Sequence, residues 1–217
     1  MNGVWGTWQQ NAPKKMDTKK FSLKILSVTH LNEIADIWID SLPDNLKSII
    51  GKKLVCKYIK EFFRSQKNLG YGIFVSKELI GFVFFASDKN ITSRIILKNI
   101  FSIILSFFSF VIKLKFNKIL NYFNVLIFLI FSKIKGRKIN NSTELLIISL
   151  KRKYQNRGLG TFLLKNSIIN NQNYFKKFEK ILVMTLKKTP ENIEFYKKSH
   201  FKINHSIYGR VFLVLIL

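Results

Sequence analysis

"LKRKYQNRGLGTFLLK", Leu150 to Lys165, is the stretch on which the reading of the whole chain turns. An apolar run, Leu145 to Leu150, leads into two glycines, Gly158 and Gly160, and a helical pattern over Thr161 to Asn170 follows. The strand-then-helix order places Gln155, Asn156, Arg157, Gly158, Leu159 and Gly160 at the start of a helix. Backbone N–H groups there lack intrahelical partners and lie at the positive end of the helix dipole. Glycine lets such a backbone approach a ligand and take unusual dihedrals. The combination suits a phosphate or pyrophosphate, with Lys151, Arg152 and Arg157 adding positive charge. A tight strand-to-helix turn under surface charge fits the loop equally well.

Working outward, "KILVMTL", Lys180 to Leu186, reads as a strand, and "TPENIEFYKKSHF" opens a short helix. "FKINHSIYGRVFLVLIL" gives two strands about a turn near Tyr208 to Arg210. They stay apolar to the last residue, so they are buried or paired with another chain. Toward the N-terminus, "FSLKILSV", Phe21 to Val28, reads as a first strand. Thr29 is the expected N-cap of a helix whose Leu31, Ile34, Ile37 and Trp38 share one face. Pro43 interrupts, and helical spacing resumes around Gly51. Tyr71 to Val75 and Leu79 to Ala86 form a hairpin about Ser76 to Glu78. The order is β-α-α-β-β-(insertion)-β-α-β-α-β-β, an α/β chain with one domain over 21–217.

Residues 89–143 are different in kind. They hold ten Lys or Arg and no Asp or Glu, with the runs "IILKNIFSIILSFFSFVI" and "YFNVLIFLIF". The runs, of 18 and 10 residues, with Lys98 inside the first, fit a bilayer span poorly. A segment lying on an anionic membrane surface fits better. Burial in the domain or in a dimer contact is the other reading. Residues 1–20 lack the apolar core of a secretory signal and are expected to be a poorly ordered extension. The net charge of +25 favours an anionic partner. One cysteine, Cys56, excludes an intrachain disulfide framework, and the scattered His30, His200 and His205 give no metal spacing.

With these elements in order, the chain resembles the GCN5-related N-acetyltransferase family. Gln155, Gly158 and Gly160, with Leu159 as the apolar member, match the family's Gln/Arg-x-x-Gly-x-Gly/Ala motif. "ENIEFYKKSHF" looks like its late motif through Asn192, Phe195, Tyr196 and Phe201, with His200 where glycine is usual. The match is loose over Phe21 to Ala86 and close over Glu144 to Leu217. The resemblance implies a mixed, mostly antiparallel sheet of six to seven strands, splayed between the fourth and fifth, with helices on both faces. The basic apolar, helical stretch 89–143 is then an insertion.

It further implies acetyl-CoA as co-substrate and no metal. The amides of Asn156 to Thr161 would take the pyrophosphate, and the backbone near Ser149 and Leu150 the pantetheine arm and thioester carbonyl. Gln155 and Asn192 belong to the same donor site. Tyr196 would protonate the leaving thiolate, and Glu144 is the candidate general base. Glu33, Asp36, Asp40 and Asp44 are near where the family's first helices border the acceptor and could recognise an amine, with helix-surface charge as their default reading. The implied activity is N-acetyl transfer to an amine, with a membrane-associated or envelope-precursor amino sugar as leading acceptor. Competing readings are a protein, ribosomal component or polyamine acceptor, and a degenerate CoA-binding interaction module. The expected location is cytoplasmic, peripheral on the inner membrane face. A homodimer is a further expectation, and nucleic acid is the less favoured anionic partner.

Overall fold

The computed structural model describes residues 20–42, 51–87 and 141–217. The membrane-surface reading of 89–143 and the disorder expected before residue 20 therefore fall almost wholly outside the described residues. So do Pro43 and Asp44. Among the described residues, no helix is long and apolar enough to cross a membrane.

Seven strands form one sheet. In chain order the elements are β1 (Phe21–Ile25), α1 (Leu31–Ser41), α2 (Lys52–Arg64), β2 (Asn68–Val75) and β3 (Glu78–Ala86). After residues 88–140 come β4 (Ser142–Leu150), α3 (Leu159–Ile169), α4 (Gln172–Phe175), β5 (Lys180–Leu186), α5 (Pro190–Lys198), β6 (Lys202–Ile207) and β7 (Arg210–Ile216). The strand order is β1-β2-β3-β4-β5-β7-β6. Every pairing is antiparallel except β4 with β5. This is the mixed, mostly antiparallel sheet that the sequence led us to expect.

β2 and β3 are buried along nearly their whole length, because helices cover both faces. On one face α1 and α2 bring Ile34, Ile37, Val55, Ile59 and Phe62 onto Leu79, Phe82 and Phe84. Phe62 stacks on Phe84 with ring centres 4.1 Å apart. On the other face α3 lays Leu159, Leu163, Leu164 and Ile168 against Ile73, Val83, Phe85 and Leu145. Each such fully buried side chain contributes roughly 1.5–3 kcal/mol. β7 lies inside the sheet between β5 and β6, with Val211, Leu213 and Leu215 buried. That accounts for its apolar run within the chain itself.

Local chemistry moves several boundaries. β1 ends at Ile25, three residues short of Val28. Ser27, not Thr29, is the first cap: its hydroxyl accepts from the Thr29 amide and opens a 3-10 turn ahead of α1. Gly51 is the extended residue just before α2 rather than part of a helix. β4 starts at Ser142, so Ser142 and Thr143 are strand, not insertion. The Tyr174 hydroxyl, on the short helix α4, explains that early start. It lies 2.8 Å from Ser87 Oγ and 3.1 Å from Thr143 Oγ1, and donates to the Lys67 carbonyl. One phenol thus ties together the two ends between which residues 88–140 leave and rejoin the sheet.

The departure at His200 is resolved by the end of α5. The Phe201 amide donates to the Tyr196 carbonyl and the His200 amide to that of Lys197. This is a Schellman termination, and the Phe201 and Tyr196 rings pack 5.6 Å apart as its apolar contact. The motif needs a left-handed residue after the cap, and His200 supplies it at φ 65. An L-residue there costs about 1–2 kcal/mol, while glycine loses about 0.5–1 kcal/mol in unfolded-chain entropy. Replacing His200→Gly should therefore raise stability by about 0.5–1 kcal/mol, or roughly 1–4 °C in Tm. Thermal unfolding by circular dichroism measures this. A variant less stable than the parent would show that the imidazole, rather than the backbone, holds this turn.

Candidate active site

β4 and β5 pair through four residue pairs only, from Ser142↔Lys180 to Leu145↔Val183. Beyond that point β4 stays paired with β3 as far as Leu150, and β5 stays paired with β7 as far as Leu186. The facing backbone edges of 146–150 and 184–186 have no ladder between them. This is the expected splay, and it begins two residues after Glu144.

A bulge sits at the same place. Against β3, Phe85 pairs with Leu145 and Phe84 with Ile147, so Leu146 is the extra residue. One extra residue reverses which side chains face which way. Glu144 and Ser149 consequently lie on one face, opposite Ala86 and Phe82 and under α1 and α2. Leu145, Ile148 and Leu150 face the α3 side. Without the bulge, Glu144 and Ser149 would point to opposite faces.

At the end of β4 the chain turns through the loop that opened the sequence reading. The Leu150 carbonyl accepts from Gln155 Nε2 at 2.8 Å. Gln155 thereby closes the loop back onto the strand, and its amide nitrogen is committed to shaping the site. Asn156 and Gly158 both take left-handed backbone, at φ 57 and φ 76. Gly158 is the residue before α3, and its carbonyl accepts from Phe162 at 3.0 Å. Among the described residues, the N–H groups of Asn156, Arg157, Gly158, Leu159, Gly160 and Thr161 have no acceptor. Asn156, Arg157 and Gly158 are exposed, whereas Leu159 is driven into the core. The result is a row of free donors at the positive end of an 11-residue helix.

Gly160 has a different task from Gly158. A Cβ on it would stand 3.1 Å from Cε2 of Phe195. Its missing side chain lets the first turn of α3 pack directly against α5. The loop motif and the late motif therefore touch, a contact that no spacing within either motif announces. Phe195 is the residue that sequence reasoning placed only as a motif match.

Tyr196, next along α5, is 8% exposed and packs against Phe195 and Phe201. Burial pushes its phenol well above the ordinary tyrosine range. Glu144 keeps part of its surface open, yet the protein packed around its carboxyl raises it by desolvation. Ser149 is buried, and its Oγ has no hydrogen-bond partner. A hydroxyl in that state costs about 1–3 kcal/mol unless a ligand or water satisfies it. Sequence reasoning placed only the Ser149 backbone here, and nothing in the pattern marked its side chain.

The remaining candidates sit at the margins. Asn192 is exposed in the first turn of α5. On α1, Glu33 and Asp40 are exposed, and Asp36 pairs with Lys52 at 2.5 Å. The Asp40 carbonyl lies 3.4 Å from Nε of Arg152, which brings the end of α1 over the chain leaving β4.

No protein-family model and no curated protein matches the chain. Solved structures do match. The PaiA N-acetyltransferase of Thermoplasma acidophilum, in complex with coenzyme A, superposes with TM-score 0.58 at 14% identity. It covers 91% of this chain and 99% of its own. An acetyltransferase from Thermus thermophilus gives TM-score 0.57 at 10% identity, over 93% of this chain and 100% of its own. A chimera of the Vibrio cholerae spermidine N-acetyltransferase SpeG with hSSAT gives TM-score 0.53 at 11% identity, over 91% of this chain and 95% of its own. At these identities the likeness is one of fold. The seven-stranded sheet, with its one parallel pair parted beyond Leu145, is the fold of the GCN5-related N-acetyltransferases.

Proposed function

We propose that this chain is an acetyl-CoA-dependent N-acetyltransferase. One observation carries the reading: the unpaired amides of Asn156 to Thr161 stand beside the opening between β4 and β5. A pyrophosphate placed on those amides meets a helix N-terminus. A pantetheine arm running from it into the opening meets the unpaired edge of β4 from Leu146 to Leu150. The amide and carbonyl groups of such an arm can supply the ladder bonds that β5 no longer makes, as an added strand would. In this reading the thioester lies beside the bulge, between Glu144 and Ser149.

The chemistry then needs two proton movements. The amine loses a proton, and Glu144 takes it through water, its raised carboxyl being a stronger base than an ordinary carboxylate. The thiolate gains a proton, and Tyr196 gives it. A buried phenol that holds its proton more tightly than usual is protonated across the working pH range. The acceptor is an amine that enters from the α1 and α2 side. The leading acceptor is a membrane-associated or envelope-precursor amino sugar. Protein, ribosomal and polyamine acceptors form the competing class, and a CoA-binding module without turnover the third. Thiol release from acetyl-CoA across a panel of amines separates all three.

Two tests address the donor site and the chemistry separately. Gly158→Asp sets a carboxylate where the pyrophosphate is placed and should weaken acetyl-CoA binding at least about 100-fold. Calorimetry measures it, with circular dichroism as the control for folding. Unchanged affinity in a folded variant would falsify the donor-site assignment. Tyr196→Phe should lower kcat by about 100-fold or more while acetyl-CoA binding stays near its original value.

The pH profile follows from the directions of the two shifts. The acid limb of kcat/KM should rise with an apparent pKa above the ordinary carboxylate range, because Glu144 is raised. Glu144→Gln should remove that limb. Tyr196, also raised, should cause no fall in rate below about pH 10, the ordinary phenol value. A basic limb near neutrality that disappears in Tyr196→Phe would contradict this assignment.

A further inference from the structure

Three buried side-chain oxygens among the described residues have no hydrogen-bond partner: Asn68 Oδ1, Ser149 Oγ and Ser199 Oγ. Asn68 lies on β2 and Ser199 follows α5, whereas Ser149 lies on the stretch of β4 that β5 has left. Ser149 is 6% exposed. On α3 the buried Ser167 gives its hydroxyl to the Leu164 carbonyl one turn back, at 2.7 Å. A strand offers Ser149 no such carbonyl. Its hydroxyl is therefore a donor and acceptor that the fold itself does not use.

The surroundings of that hydroxyl are set by register. Ser149 stands opposite Phe82, which is fully buried under α1 and α2. Trp38, in the last turn of α1, packs on Phe82 with ring centres 6.4 Å apart. It stands nearly perpendicular to Tyr58 of α2, at 5.1 Å. The Trp38 and Tyr58 side chains are half-buried. The end of α1 is held over the end of β4, since the Asp40 carbonyl accepts from Nε of Arg152. Trp38 and Ser149 are thus both neighbours of Phe82, on the side of the sheet away from the amides of Asn156 to Thr161. Leu146 and Ile147 of β4 join the same apolar cluster. Apolar walls with one polar group recognise a ligand by fit and a single directed bond.

Distance then selects among acceptors. Glu144 lies on the same face as Ser149, roughly 15 Å back along the strand at about 3.3 Å per residue. A water relay to Glu144 takes up about 5–6 Å, and a direct bond to Ser149 about 2.8 Å. Roughly 7 Å is left between the acceptor's amine and the oxygen that Ser149 holds. We propose that the Ser149 hydroxyl and the Trp38 indole bind the body of the acceptor, with its amine directed along β4 toward Glu144. The acceptor is then a primary amine on a ring. The apolar face of the ring lies on Trp38, and an oxygen across the ring bonds Ser149. Amino sugars and hydroxylated aryl amines share that chemistry. An open-chain polyamine has neither the ring nor the oxygen. This rests on the acetyltransferase reading above and narrows its acceptor.

The test uses the full chain and matched amines: tyramine with phenethylamine, glucosamine with 6-deoxyglucosamine, and spermidine. Acetyl-CoA binding is measured first, by calorimetry. Thiol release should then favour the hydroxylated member of at least one pair by at least about tenfold in kcat/KM, since a site built to bond a hydroxyl rejects the analogue lacking it. The pair that shows the preference tells aryl amine from sugar. Ser149→Ala should abolish the preference mainly through KM and leave acetyl-CoA affinity within about twofold. With the unpaired hydroxyl gone, it should also raise Tm by at least about 2 °C. Trp38→Leu should raise KM for the ring amines about three- to tenfold, and Trp38→Phe should keep most of their binding, with circular dichroism as the control for folding.

A Tm that does not rise in Ser149→Ala shows that the fold already satisfies the hydroxyl, and it overturns the proposal. So does a preference that survives Ser149→Ala, equal turnover within both pairs, or spermidine turned over faster than every ring amine. If acetyl-CoA does not bind at all, the acetyltransferase reading itself fails and this inference goes with it. Binding without the preference removes only the acceptor site at Ser149 and Trp38.

Discussion

The ladder between β4 and β5 stops at Leu145 and Val183, and the site depends on that stop. A sheet interior rarely leaves strand edges unpaired, because each peptide group forgoes a hydrogen bond. Here both strands remain fully engaged on their outer sides, β4 with β3 and β5 with β7. The opening is therefore held by rigid walls rather than by loops. The bulge at Leu146 adds local twist at the point of parting. It also turns Glu144 and Ser149 to a common face. A single irregularity thus helps part the strands and turns the polar groups on either side of the parting to one face.

The two walls are kept in register by a second contact. α3 begins at the end of β4, and α5 begins after β5, so each helix belongs to one wall. Gly160 lets Phe195 press against the first turn of α3 with no side chain between. The free amides of α3 and the phenol of Tyr196 are therefore positioned by one packing contact. Either motif read alone is ambiguous. A glycine pair after a strand fits many turns, and a tyrosine in a short amphipathic helix is ordinarily core. Their meeting at Gly160 and Phe195 makes both readings parts of one arrangement.

Much of the fold is legible in the sequence because its signals are local and periodic. The apolar runs Lys180–Leu186 and Arg210–Ile216 and the spacing of Ile34 and Ile37 on α1 mark their elements directly. The I′-like turn at Ser76 and Lys77, both at positive φ, lacks the usual Asn-Gly. The hairpin is legible all the same, because its flanking strands are so strongly apolar. The misses are equally physical. Thr29 and Ser27 are both competent caps, and only the backbone direction after Ile25 decides between them. The bulge at Leu146 leaves no mark in an unbroken run of apolar residues, so the shared face of Glu144 and Ser149 is out of reach of sequence reasoning. The Ser149 hydroxyl acquires meaning from neighbours far away in the chain, Phe82 and Ser149 being 67 residues apart.

The end of α5 shows how such constraints combine. Proton donation to a thiolate, the role proposed above for Tyr196, requires that the proton be kept until the thiolate appears, and burial of the phenol favours that. Burial requires the ring to be held from both sides. Phe195 precedes it in the chain and Phe201 packs on it across the Schellman turn. That turn brings Phe201 back onto Tyr196 only if His200 is left-handed. The strain at His200 thus stands in series with the protonation state of the phenol. A residue that departs from the family pattern keeps the backbone the pattern requires, and the free energy it costs is spread through the packing of two aromatic rings. What the family usually achieves with a glycine is achieved here by tertiary contacts, so the motif survives in its geometry where it is broken in its letters.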